Sequence, residues 1–395
     1  MKVSGVGCCL VDRVYNDISF SSDGFEKYLS NKPGDGGLVP GNLVFREEFE
    51  GFSGLELNHF VRSICGDKEP DAINIGGPAI VALIHAAQLN QKAGCSYHFY
   101  GVGGEDSDGD FLTELFEQIP VNTDAYNLKG SVTPSTIVLS DPKYDHGNGE
   151  RIFINSIGAA WDYSPAYLDD AFFESDVIVF GATALVPPIH DKLETLLGKA
   201  KSNGSFTVVN TVYDFRNEKA NPDQKWPLGE SDQSYANIDL LVVDLEEALR
   251  LSGKDSLDDA MIFFKSKGTG AAIVTDGSRN IRFYTNNDLL YTKVLESELP
   301  VSSAVADELR SGRKGDTTGC GDNFVGAVIS SVVYQFSEGA EQVDLEEACM
   351  WGVVSGGYAC FYVGGTYLEK NPGEKRRMIV PYYEKYKTQL NESKF

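Results

Sequence analysis

The chain has 395 residues, 42% apolar and 23% charged, ordinary globular values that allow a sizeable core. Its 58 acidic residues outweigh 34 Lys and Arg for a net charge of −24, a long-range field that repels nucleic acid and anionic membranes and excludes both as expected partners. No stretch reaches the roughly 18 apolar residues of a membrane span, and seven cysteines without a C-x-x-C pair read as reduced thiols of a cytoplasmic protein.

In chain order, VSGVGCCLV, closed by Asp12, predicts one buried strand. Residues 13–70 are rich in Gly, Ser, Phe and Glu and carry the turn string NKPGDGG. They predict an insertion of short strands with one helix. From Ala72 the pattern becomes regular: INIGG leads into the helical PAIVALIHAAQLNQ, YHFYGVG is a strand, and FLTELFEQI is a helix entered through acidic residues. Residues 124–157 predict consecutive strands, TIVLS and RIFINSI flanking the turn DPKYDHGNGE. SDVIVFG and FTVVN then flank the helical IHDKLETLLGKAKS, IDLLVV turns into the helix DLEEALRLSG, and AAIVTDG is a further strand. Two late helices, Asn323–Phe336 and Leu345–Phe361, precede a polar tail at 368–395, whose Glu374-Lys375-Arg376-Arg377 cluster reads as a solvated surface turn.

Strands alternating with helices predict a single α/β domain over residues 1–395, a doubly wound, mostly parallel sheet flanked by helices. The segments 13–70 and 124–157 would add a smaller β-rich lid. Ligands of such sheets lie outside the carboxyl ends of the strands, so strand-to-helix turns carry the candidate sites.

The most informative turn is DTTGCGD, Asp316 to Asp322. A carboxylate at a helix start gains roughly 0.3–1 kcal/mol from the dipole, which accounts for Asp322 but not for the two glycines before it. Glycines at 319 and 321 would leave successive N–H groups aimed at one spot, an anion nest, with the Asp322 carboxylate beside it. A nest and a base together suit phosphoryl transfer. Local sequence leaves nest and plain cap both open. A Cys320 nucleophile would need a base, and none of the five histidines lies in a recognisable motif.

The stretch DTTGCGDNF resembles the D-T-x-G-A-G-D signature of the ribokinase (pfkB) carbohydrate kinases, and further motifs follow in that family's order. They are Gly7 with Asp12, Gly76-Gly77, Gly104-x-Asp106-x-x-Gly109, Gly149-Glu150-Arg151 with Gly158-Ala159, Asp244 with Glu247, and Thr275 with Gly277. The resemblance implies a ribokinase-like fold and ATP-dependent transfer of the γ-phosphate to a hydroxymethyl group of a small sugar. A nucleoside kinase of the adenosine type and a non-catalytic sugar or nucleotide sensor are the alternatives. It implies Asp322 as general base and Gly319, Cys320 and Gly321 as the anion hole. Asp12, Gly76, Gly77 and Glu150 would face the acceptor. Asp244, Thr275 and Gly277 would line the ATP site, with Glu247 holding Mg²⁺ through water. Asp316 and Thr318 match positions that bind a monovalent cation in many members, which leaves K⁺ activation open. Val81 and Leu10 stand where hydrogen-bonding Asn residues contact the sugar in ribose-type members, and Cys320 stands for Ala. The long 13–70 segment is the expected place for an enlarged lid or a homodimer contact.

Overall fold

Cys8 and Cys9 divide what reads as one strand into two. In the computed structural model, which describes residues 1–90, 94–129, 131–147, 149–313 and 315–392, β1 (Lys2–Gly7) ends before them and β2 (Leu10–Tyr15) starts after them. Asp12 therefore does not close the first strand; it sits within the second. There follow β3 (Leu43–Phe45), β4 (Ala72–Gly76), β5 (Ser96–Gly104), β6 (Asn122–Lys129), β7 (Ser135–Asp141) and β8 (Glu150–Ser156). Later come β9 (Val177–Gly181), β10 (Phe206–Asn210), β11 (Leu240–Asp244), β12 (Ala271–Thr275), β13 (Ile281–Thr285) and β14 (Glu296–Leu299). Gln91 of the expected helix, Asn148 of the expected turn and residues 393–395 of the expected tail lie outside the described residues.

The large sheet has nine strands in the order β14-β13-β12-β11-β10-β9-β1-β5-β6, parallel from β12 through to β6 and antiparallel at the β13–β14 edge. Helices cover both faces, so β9 (VIVFG) and β10 (FTVVN) are buried at every residue. The predicted doubly wound sheet is the one observed. A second sheet of five strands, β3-β8-β7-β2-β4, stands beside it. β2 feeds this small sheet directly from β1 across Cys8-Cys9.

The register brings the carboxyl ends of the parallel strands into one row. Gly7 lies opposite Gly181, Gly181 opposite Asn210, and Asp244 opposite Thr275. The helix Pro78–Leu89 is seated on this row: a Cβ at Gly7 or Gly181 would come within 2.5 or 2.6 Å of the Ala79 Cβ. That helix is buried from Ala79 to Leu89 because the helix Cys320–Ser337 crosses its other side, where Gly326 lets the two backbones meet at the Ala82 carbonyl.

Three further expectations are corrected. Residues 13–70 hold the end of β2, one further short strand, β3, and three helices, Asp23–Glu26, Arg46–Ser53 and Leu57–Cys65. Phe49 and Phe60 pack edge to face with ring centroids 4.6 Å apart, and Tyr28 meets Phe60 at 4.9 Å. The segment 124–157 is split: β6 pairs with β5 in the large sheet, and only β7 and β8 enter the small one. The polar tail is largely a helix, Glu374–Glu392, which buries Lys375, Ile379, Tyr382, Tyr383 and Tyr386. Its apolar stripe at spacings of three and four was masked by the charged residues between. Among the described residues, no helix is long and apolar enough to cross a membrane.

Candidate active site

The loop before the helix Cys320–Ser337 is held from several directions. Gly315 N donates to Cys360 O (2.8 Å) and Asp316 N to Tyr362 O (3.0 Å). One Asp316 carboxylate oxygen accepts from Thr318 N (2.6 Å), the other from Gly364 N (2.9 Å). Asn323, 0% exposed, donates to Gly319 O and Gly365 O, both at 2.8 Å. Its own amide oxygen accepts from Tyr362 Oη (2.9 Å) and Lys375 Nζ (2.8 Å). Burial pushes that lysine down to about 7, well below an ordinary amine.

Gly319 takes φ +73°, and a Cβ there would collide with the Gly365 backbone, so only glycine fits. A Cβ at Gly321 would meet nothing within 4 Å, so the first helical turn faces open space. Cys320 N is turned back to Thr317 O at 3.3 Å. The N–H groups of Gly319, Gly321 and Asp322 have no acceptor among the described residues. They, rather than Cys320, are the donors this turn offers an anion.

Asp322 lies in the first turn of this helix. Burial pushes its carboxyl up to about 6, and the Arg151 cation opposes the rise. Asp12 reaches the same region from β2, paired across the small sheet with Asn74 and Thr136 and 7% exposed. Its carboxyl is pushed up to about 7, first by burial and then by the charges of Asp322 and Asp316, against a hydrogen bond from Thr136. Gly76 makes room for it, since a Cβ there would strike the Asp12 carboxylate. Gly77, at φ +105°, lets the chain pass the Cys8 carbonyl.

The two departures from the ribose-type pattern are packed inward. Leu10 is buried opposite Gly76, and Val81, 2% exposed, lies with its methyls 3.7 Å from where a Cβ of Gly365 would stand.

Glu150 and Arg151 are neighbours on β8 and so point to opposite faces. Glu150 Oε1 accepts from the Arg151 N–H (2.9 Å), beside Gly41. The Arg151 cation lowers Asp322, Cys320 and Cys360 alike, and its Nε is buried without a partner among the described residues. Arg151, which the sequence reading held only as part of a turn, is thus the small-sheet charge that reaches Asp322. The period-two alternation of β8 was the signal that one member of the pair must face inward.

Along the row of strand ends, Asp244, Thr275 and Gly277 share a cleft of about 370 Å³, also lined by Glu246, Arg250 and Asp276. Asp244 caps the helix Leu245–Ser252, accepting from Glu247 N (2.7 Å) while Glu247 Oε2 accepts from Asp244 N (3.0 Å). Glu247 Oε2 also accepts from Thr211 Oγ1 (2.6 Å). Glu247 therefore sits behind the cleft, not on its wall. Burial first, and then the neighbouring Asp244, pushes its carboxyl well above the usual range; burial raises Asp244 too. Near Asp316, the Thr318 hydroxyl is buried without a partner among the described residues. Among those residues no group of three or more His, Cys, Asp or Glu is arranged to hold a metal.

An open helix start with free N–H groups, a carboxyl raised toward neutrality beside it and a cleft along the strand ends lie together in a chain whose family transfers phosphoryl groups to alcohol acceptors. The chain belongs to the pfkB family of carbohydrate kinases, whose model, described as "pfkB family carbohydrate kinase", matches residues 74–371. Membership implies ATP as the phosphoryl donor. Among solved structures it resembles adenosine kinase from Schistosoma mansoni in complex with 2-fluoroadenosine, with a TM-score of 0.69 and 16% identity over 92% of this chain and 96% of that one. Adenosine kinase from Anopheles gambiae follows at 0.67 and 18%, over 90% and 94%. Ribokinase from Thermotoga maritima matches at 0.60 and 18%, over 97% and 99%. At these identities the likeness is one of fold.

Proposed function

We propose that this protein transfers the γ-phosphate of ATP to a hydroxymethyl group of a small sugar, with Asp322 as general base. The observation that carries this reading is the pairing of a carboxyl raised to about 6 with an open turn of unpartnered N–H groups. At neutral pH Asp322 is mostly ionised, ready to accept the hydroxyl proton as the oxygen attacks the γ-phosphorus. The N–H groups of Gly319, Gly321 and Asp322 then stabilise the charge spreading over the transferring group. Asp12 holds the acceptor from the small sheet, with Gly76 and Gly77 shaping the floor. Asp244, Thr275 and Gly277 hold the nucleotide.

Asp244 on the cleft wall, with Glu247 behind it reaching the ion only through water, fits a site for Mg²⁺, which when bound neutralises phosphate charge. The Asp316 carboxylate and the orphaned Thr318 hydroxyl fit a monovalent cation such as K⁺.

A nucleoside acceptor is the second reading. The helices Arg46–Ser53 and Leu57–Cys65, packed under the small sheet, and the apolar Leu10 and Val81 favour it. A non-catalytic sensor would have no use for a carboxylate held near neutrality. ADP release across a panel of sugars and nucleosides separates the three. Asp322→Asn should lower kcat by about 10²–10⁴ while calorimetry still finds ATP binding; retained turnover would overturn the base assignment.

A further inference from the structure

We propose that Cys320 and Cys360 are a modification site that a hydroperoxide converts to an intramolecular disulfide, and that this bond shuts the loop carrying Asp322. The two sulfurs, forty positions apart in the chain, lie 3.3 Å from one another, and both residues are partly exposed. Cys8, Cys9 and Cys349 are buried, and Cys65 and Cys95 are partly exposed without a sulfur neighbour among the described residues. In the family signature an Ala stands where this chain has Cys320, so the pair is a feature of this chain and not of the phosphoryl-transfer motif.

Across 3.3 Å either thiol can donate its S–H to the other, which leaves the accepting sulfur the better nucleophile. In one of the two equivalent courses Cys360 meets the oxidant. It attacks one peroxide oxygen, the O–O bond breaks, and the departing hydroxide takes a proton to become water, leaving Cys360 as a sulfenic acid. The Cys320 sulfur then attacks the Cys360 sulfur. The S–O bond breaks, and the second hydroxide leaves as water with the Cys320 proton. Two thiols are oxidised by two electrons, and one peroxide becomes two waters.

The consequence for turnover rests on the proposed role of the Asp322 loop. Closing 3.3 Å to the ~2.05 Å of a disulfide draws the sulfurs together by about 1.3 Å. The shift strains the short segments that carry the two thiols. The Cys320 carbonyl already lies 3.0 Å from where a Cβ of Gly356 would stand, Gly319 is seated on Gly365, and Cys360 O holds Gly315 N at 2.8 Å. The displacement passes to the turn whose N–H groups flank Cys320 and to Asp322 two residues on. A misplacement of about 1 Å at a reacting centre costs about 10²-fold in rate.

The experiment treats the full chain with graded hydrogen peroxide, then alkylates it and maps its peptides by mass. The expected result is a cross-linked peptide pair containing Cys320 and Cys360. A fall in kcat of about 10²-fold, reversed by dithiothreitol, should accompany it. Cys360→Ser should keep its basal activity and resist peroxide. Oxidation of Cys65 and Cys95 with no Cys320–Cys360 cross-link overturns the site. A cross-link with unchanged kcat overturns the switch. The mapping reads the bond whether or not the chain turns over any acceptor, so failure of the kinase reading and failure of the disulfide are seen separately.

Discussion

Asp12, on the small sheet, and Asp322, in the first turn of the helix Cys320–Ser337, act on one another's charge, and burial raises both, to about 7 and about 6. Their costs follow from linkage. An ordinary Asp titrates near 3.8, so across about pH 4 to 7 the folded chain keeps a proton on Asp12 that the unfolded chain has released. That carboxyl therefore costs stability increasingly as the pH rises through this window. Asp12→Asn should raise Tm by several degrees at about pH 8 and leave it unchanged near pH 4. Calorimetry at both values checks this, and an equal shift at both would contradict it. The same variant should raise the KM for the acceptor about tenfold or more, the loss of a charged hydrogen-bond partner. Stability and binding move in opposite directions at this residue, as expected where a charge is held in place for function.

At the scale of the element, the start of the helix Cys320–Ser337 sets two glycines of different kind side by side. Gly319 is kept for its backbone: its φ of +73° and its seat on Gly365 exclude any side chain. Gly319→Ala should cost about 1–2 kcal/mol from the left-handed conformation alone, read as a lower urea midpoint, and lower kcat with it. Gly321 has helical backbone and nothing within 4 Å of an added Cβ. Gly321→Ala should leave the urea midpoint unchanged or raise it by up to about 1 kcal/mol, yet cut kcat about tenfold by placing a methyl where the phosphate must lie. Loss of stability at 321, or full activity there, would remove the anion from this turn.

At the scale of the whole molecule, the site is assembled across two sheets. The large sheet supplies the strand ends and the cleft proposed for the nucleotide, while the small sheet supplies Asp12 and Arg151. The C-terminal helix closes the assembly from behind, through Lys375 on Asn323. The Arg151 cation lowers Asp322, so Arg151→Met should move the Asp322 limb of the kcat profile, measured with the acceptor saturating, from about pH 6 toward neutrality. A profile unchanged in position would mean that the charge of the small sheet does not reach the base.

The sequence by itself determined the alternation of strands and helices, the glycine turn at 316–322, and the order of the other motifs. Each is written in residues close together along the chain: hydrophobic period, capping and backbone freedom act over one to four positions. Only the tertiary structure split VSGVGCCLV between two sheets, because both halves are equally apolar and the break is set by what each half packs against. It sent β6 to the large sheet, turned the polar tail into a helix whose lysine is buried under Asn323, and chose Arg151 over Glu150 as the residue facing Asp322. It also brought Cys320 to Cys360. These pairings join residues tens to hundreds of positions apart, and no local pattern records a partner that only packing selects.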